Sequence, residues 1–153
     1  MKLKTSRNAT ETARVVLPKM AEKYFRAGRE AADGNRSPKE LHRFRIATKR
    51  FRYSLELFKP VYGSSLERQL DALRKIQSVL GKLSDYHTMQ GLFADDHVLE
   101  AKLQRATRTK LKEFHERWAA FGSAWQLRRW KSYLGNRAAR VSKRGRYSNS
   151  SAS

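Results

Sequence analysis

Residues 37–59 read SPKELHRFRIATKRFRYSLELFK. Ser37 has the side chain of a helix N-cap, Pro38 suits the first helical turn, and Glu40, three residues after the cap, completes a capping box. A helix over 38–59 follows. Along it Leu41, Phe44, Phe51, Leu55 and Phe58 recur at helical spacing within about 100° of arc, which makes one core-facing stripe. Beside that stripe lies a second row. His42, Arg45, Lys49 and Arg52 occupy only about 80° of arc over roughly three turns, so four cationic or cation-capable side chains project in one direction.

Glu40 and Glu56 are the only acids between Ser37 and Lys59, whereas a solvated helix face usually mixes both signs. A row of like charges repels itself, and an anionic partner with charges repeated along a line explains it simply. On composition alone, Lys and Arg stems that cover the edge of the core while their heads reach water account for the row equally well.

Working outward, the preceding segment places Leu17, Met20, Ala21, Tyr24, Gly28 and Ala31 on one face of a helix ending near Ala32. Pro18 fits only near a helix start or at a kink, so residues 1–12 are expected to be a loose N-terminus. Asp33, Gly34 and Asn35 supply a turn that makes the first two helices antiparallel neighbours. After the central helix, Pro60 and Gly63 break the pattern, and Ser64 with Glu67 offers a second capping box. The next helix buries Leu66, Leu70, Leu73, Gln77 and Leu80, with Ile76 and Leu83 at the edge; Arg68, Lys75 and Lys82 line its solvated side. Gly81, inside this helix, marks a close approach or a bend. Asp85 is one of few acids near the basic row and is expected to pair with Arg45, Lys49 or Arg52 and orient them. A fourth helix runs from Asp95 or Asp96 to about Phe121, burying Leu99, Leu103, Ala106, Leu111, Phe114 and Trp118 and exposing Lys102, Arg105, Arg108 and Lys112. Trp125, Leu127, Trp130, Tyr133 and Leu134 suggest a short helix closing the bundle. From 135 to 153 there are five Lys or Arg, no acid and a Ser-rich end, the composition of a disordered basic tail. The expected organisation is thus an all-α antiparallel bundle of four principal helices over 13–134, between a flexible 1–12 and the tail 135–153.

The wording LHRFRIATKRFRYSLELF, then PVYG, then LRKIQSVLGKLSD resembles the CHAD family, the conserved histidine α-helical domain. His42, Arg45, Lys49, Arg50, Arg52 and Tyr53 match its His-x-x-Arg-x-x-x-(Lys/Arg)-Arg-x-Arg pattern, and Leu80, Gly81 and Asp85 match its later Leu-Gly-x-x-x-Asp pattern. The resemblance is strongest from Leu17 to Phe93. It implies a helical domain that binds inorganic polyphosphate through those six residues, in a family built as two four-helix halves around a basic cavity. This chain shows the motif pair once and resembles the C-terminal half, so the resemblance implies half of a double bundle. A homodimer that restores two halves and covers apolar edges such as Leu41 is the corresponding expectation.

Composition sets the remaining bounds. A chain of 153 residues fits one domain. Its 34 Lys and Arg against 14 Asp and Glu give a formal charge of +20, which favours polyanions: polyphosphate, nucleic acid as a nonspecific partner, or an anionic surface. The absence of Cys excludes disulfides, thiolate metal sites and cysteine nucleophiles and fits a reducing cytoplasm. No apolar leader or membrane span is evident. Cytoplasmic localisation, with association to polyphosphate granules, is the expectation. His42, His87, His97 and His115 never pair at metal-ligand spacing, and no phosphate-binding Gly loop or nucleophile with its base is visible. The expectation is a non-catalytic polyphosphate-binding module without metal or cofactor. Two alternatives stand beside it. One is a basic helical protein that binds nucleic acid; the other is an accessory to a phosphate-processing enzyme, since relatives often accompany triphosphatase-type domains. His87 is expected to be partly buried, and His42 a switchable member of the row.

Overall fold

The computed structural model describes the backbone of residues 2–147 and the side chains of 8–135. Its helices are α1 (Lys2–Ala31), α2 (Pro38–Leu57), α3 (Lys59–Tyr62), α4 (Glu67–Leu92), α5 (His97–Phe121) and α6 (Ala124–Tyr147), with a 3₁₀ turn at Gly63–Leu66 between α3 and α4. The architecture is the expected antiparallel helical bundle, with a fifth long helix, α6, added to the four. α6 packs along α1, α1 also packs on α2, α2 packs on α4, and α4 packs on α5. Among the described residues no helix is long and apolar enough to cross a membrane.

Both ends differ from the expectation. α1 begins at Lys2 and continues through Pro18, although an interior proline costs about 3 kcal/mol in a helix. Tertiary burial offsets that cost: Leu17 and Ala21, on either side of the proline, are fully buried in one core with Trp130 and Leu134 of α6. At the other end Gly135 does not stop α6, whose helix runs on to Tyr147 against the expected break at 135. The last part of the expected tail, 148–153, and Met1 of the expected loose N-terminus lie outside the described residues.

The start of α2 carries the expected Ser37 cap, while the Glu40 carboxylate takes the Ser37 hydroxyl and not the backbone N–H that a capping box would give it. Ser37 Oγ accepts from the Glu40 amide at 3.2 Å and donates to Glu40 Oε1 at 3.2 Å. The second expected capping box does not form. α4 grows directly out of the 3₁₀ turn with no side-chain cap, Ser65 Oγ donates to the Tyr62 carbonyl at 2.8 Å, and Glu67 turns instead to Lys59 and Arg74. The PVYG stretch is a corner. Gly63 has φ +72°, a left-handed conformation that glycine adopts without strain, and the buried Tyr62 hydroxyl donates to the Leu134 carbonyl at 2.8 Å, which ties the corner to α6. α5 starts on Asp96, whose carboxylate accepts from the Leu99 amide at 3.0 Å.

The core holds Leu41, Phe44, Phe51, Leu55, Leu70, Leu73, Leu103 and Phe114, all buried. Leu41 is therefore not the exposed edge on which the dimer expectation leaned. The apolar side chains that α2 does expose are Ile46, Tyr53 and Leu57. Of the α6 aromatics Trp130 is buried, whereas Trp125 is exposed beneath the Arg129 guanidinium. Trp118 lies so close to α1 and to the end of α5 that a Cβ on Gly28 or Gly122 would meet its ring at 2.0 Å and 2.2 Å; only a residue without a side chain fits there.

Tyr24 is the centre of this core. Its ring stacks between Phe44 and Phe51 at centroid distances of 5.2 and 4.8 Å. Its hydroxyl lies 3.0 Å from Oγ1 of Thr48, a fully buried residue between those two phenylalanines. Thr48 donates its one proton to the Phe44 carbonyl at 2.9 Å, so Tyr24 is the donor to Thr48. Burial pushes the Tyr24 phenol far above its ordinary range, which keeps that donor protonated.

The two substitutions at this pair should differ in cost. Tyr24→Phe leaves Thr48 bonded to Phe44 and should destabilise by about 1 kcal/mol, whereas Thr48→Val strands a buried phenol and should cost about 2–3 kcal/mol. In urea titrations the double substitution should cost at least about 0.5 kcal/mol less than the sum. Strict additivity would show that the two hydroxyls do not act as a pair.

Candidate functional site

The core fixes the rotation of α2, and the rotation fixes where the basic row points. Thr48, Leu41 and Leu55 face inward, so Arg45, Lys49 and Arg52, next to them around the helix, fall along the seam between α2 and α4. All three are half-buried there. His42 continues the row toward the start of α2 and is exposed. By the 3.6-residue period the row is about 15 Å long from His42 to Arg52.

Each cation is held differently. Arg45 lies over Gly81 of α4: a Cβ there would sit 3.6 Å from Nη2 and 3.7 Å from Nε of Arg45, at ordinary van der Waals distance. Gly81 is thus a shelf for a guanidinium with room for a Cβ, and not the close approach of another helix that its position in the pattern suggested. The Arg45 Nε is buried with no hydrogen-bond acceptor among the described residues. Neither Arg45 nor Lys49 forms an ion pair among the described residues. Arg52 is the exception, with Nε 3.5 Å from Glu56 Oε1 and its guanidinium 4.6 Å from the centre of the Tyr53 ring.

Glu56 also receives Arg74 of α4 at 3.4 Å, and Arg74 reaches Asp71 at 2.9 Å and Glu67 at 3.8 Å. One end of the row is therefore neutralised within the protein, and the other has no ion pair among the described residues. The sequence reading missed Arg74 and placed the orienting role on Asp85. Asp85 is exposed and makes no ion pair with Arg45, Lys49 or Arg52 among the described residues. The difference has a geometric reason. Asp85 is a full turn beyond Gly81, and its short side chain does not cross the seam, whereas Glu56 lies one turn from Arg52 on the same helix. A signal for Arg74 was present: it precedes Gly81 by seven residues and so shares the face of α4 that meets α2.

Arg50 and Tyr53, included through the family pattern, are exposed. Arg50 lies about 100° round the helix from Lys49 and points away from the seam. Tyr53 stays beside it through its contact with Arg52. Arg68, Lys75 and Lys82 are exposed as expected.

The histidines stand apart from one another in role. His97 is exposed 3.7 Å from Glu100, and His115 packs against the Phe114 ring. His87 is exposed, not partly buried, and lines a groove together with His42. Among the described residues no group of three or more His, Asp or Glu is placed to hold a metal ion.

Chemically, the seam offers planar guanidinium donors and one ammonium in a fixed row. Such a row can clamp an anion.

Glu56→Gln should release Arg52, and leave Arg74 on Asp71 and Glu67, at a stability cost of no more than about 1 kcal/mol, because the pairs are partly solvated. Chemical denaturation measures this directly; a loss above about 3 kcal/mol would mean that the carboxylate holds the seam together as a buried ion pair does.

Comparison with known proteins returned no match among curated proteins and none among solved structures. The family model of the CHAD domain matches residues 2–94, more than half of the chain and the whole of the α1–α2–α4 framework that carries the seam. A row of cations laid against a glycine shelf, within a helical bundle that matches that model over this length, identifies the chain as a member of the CHAD domain family.

Proposed function

We propose that this protein is a non-catalytic binding module for inorganic polyphosphate, held along the seam between α2 and α4. The observation that carries this reading is the pair Arg45 and Lys49, half-buried cations with no counter-ion among the described residues. Partial burial disfavours an unpaired charge, so an external anion relieves a cost already built into the fold. The row extends over about 15 Å, and only an anion whose charges are linked can engage His42, Arg45, Lys49 and Arg52 together. Membership of the CHAD domain family supports the same reading, since that domain is associated with polyphosphate binding in general.

Within the seam the roles divide. Arg45, fixed on its shelf, offers a fork of N–H donors to phosphate oxygens, and Lys49 supplies point charge. Arg52 has to share its guanidinium with Glu56, and Tyr53 steadies it from the side. His42 adds a directed N–H at the open end. Arg50 contributes only general attraction, because it faces away. The formal charge of +20 draws the polymer in over longer distance and makes binding salt-dependent.

Competition binding at controlled salt tests this. Arg45→Ala and Lys49→Ala should each weaken long-chain polyphosphate binding by about tenfold or more, the worth of a lost charge-assisted hydrogen bond. Arg50→Ala, Lys102→Ala and Arg105→Ala should each change it by less than about threefold, and helicity should be preserved throughout. Equal losses at all five positions would assign binding to total charge. Displacement of polyphosphate by DNA at equal phosphate concentration would favour nucleic acid as the partner.

A further inference from the structure

The open end of the seam runs into a groove that a row of phosphates does not use. It lies between the start of α2, the later half of α4 and the middle of α5, and its volume is ≈ 420 Å³, inside the range of about 300–1,000 Å³ found for small-ligand sites. Its floor is apolar: Leu41, Leu80, Leu83 and Leu111. The first three are core residues, at most 8% exposed, so the floor is set by packing.

The walls are polar and of two kinds. At the seam end stand His42, Lys39 and Arg36. Arg36 is steadied by Glu40 at 3.4 Å and Asp33 at 3.7 Å, and its Nε is buried without an acceptor among the described residues. On the other side stand Ser84, His87, Gln90 and Thr107. The Thr107 hydroxyl donates to the Leu103 carbonyl at 2.7 Å and keeps its lone pairs free to accept. The side chains of Ser84, His87 and Gln90 have no partner among the described residues.

This combination selects a ligand class. Inorganic phosphate leaves the leucine floor unused. An alkyl chain covers the floor but would bury the Ser84 hydroxyl and Gln90 amide against hydrocarbon, which costs free energy for each unpaired group. A flat heterocycle uses both, with its face on the leucines and its nitrogen and oxygen edge on the neutral polar wall. His42 belongs both to the groove and to the row of cations, so the heterocycle and the phosphates belong to one molecule. Resting on the reading of the seam as a polyphosphate site, we propose that this groove takes the base of a nucleoside 5′-oligophosphate whose phosphates run past His42 onto Arg45 and Lys49.

The test is competition against labelled long-chain polyphosphate at fixed salt without divalent cations, with ATP, inorganic tripolyphosphate and adenosine as competitors. ATP should compete at least about tenfold better than tripolyphosphate despite carrying no more charge, a gain within reach of burying one face of a base. Adenosine alone should compete far more weakly than either. Ser84→Trp, which fills the groove from a half-buried position, should abolish the ATP advantage and leave long-chain polyphosphate binding in place, which also shows that the variant is folded. His87→Ala, at an exposed position, should reduce the advantage by several-fold. Equal competition by ATP and tripolyphosphate, or an ATP advantage that survives both substitutions, would overturn the inference and leave the polyphosphate reading intact. Failure of the unmodified protein to bind long-chain polyphosphate would instead remove the reading on which it rests.

Discussion

Tyr24 lies with its ring between Phe44 and Phe51 and its hydroxyl on Thr48, and this contact constrains the rest of the molecule more than any other. A helix packed by aliphatic side chains alone can rotate or slide by a fraction of a turn at modest cost. A helix that must offer two aromatic faces at one spacing and a hydroxyl between them cannot. With α2 held in that rotation, Arg45 meets Gly81 and Arg52 reaches Glu56, while Lys49 stays in the seam. The polar bond inside the core is thus small in energy but decisive for where the charge is displayed.

Charge is the opposing constraint. A formal +20 repels itself, and a row of cations adds to that repulsion where the chain is most compact. The fold answers unevenly. Glu56, Glu67 and Asp71 gather Arg52, Arg74 and Lys59 at one end of the seam. Arg45 and Lys49 are left without acids among the described residues. An evenly neutralised seam would be more stable and would bind nothing, so the residual imbalance is the feature from which the functional reading derives. The Gly81 shelf belongs to the same arrangement, because the Arg45 guanidinium lies over it at ordinary contact distance.

Much of this was legible in the sequence, and the misses share a cause. The Ser37 cap, the α2 core stripe and the α5 start at Asp96 all follow from local spacing, and local spacing is what a single sequence displays. Pro18 inside α1, the full length of α6 and the absence of a cap at Glu67 depend on tertiary contacts that outweigh local propensity. Asp85 was assigned to the row for nearness in a pattern, yet the distance across two helices is set by side-chain length and rotation. Glu56 was visible on the same helix as Arg52, four residues away, and that i,i+4 relation was the stronger signal. The groove at His42 was beyond sequence reasoning, since its walls come from three helices and only packing brings Ser84, His87 and Thr107 to one side of it.

The central claim is that one narrow row of cations, not the overall charge, receives the polymer. Nitrogen-15 spectra of the arginine Nε–H groups, recorded as long-chain polyphosphate is added below stoichiometry, read that claim residue by residue. The expected result is that Arg45 and Arg52 shift first and furthest, with Arg105 and Arg108 unmoved until excess polymer is present. Uniform, simultaneous shifts of guanidinium signals over the whole surface would contradict it.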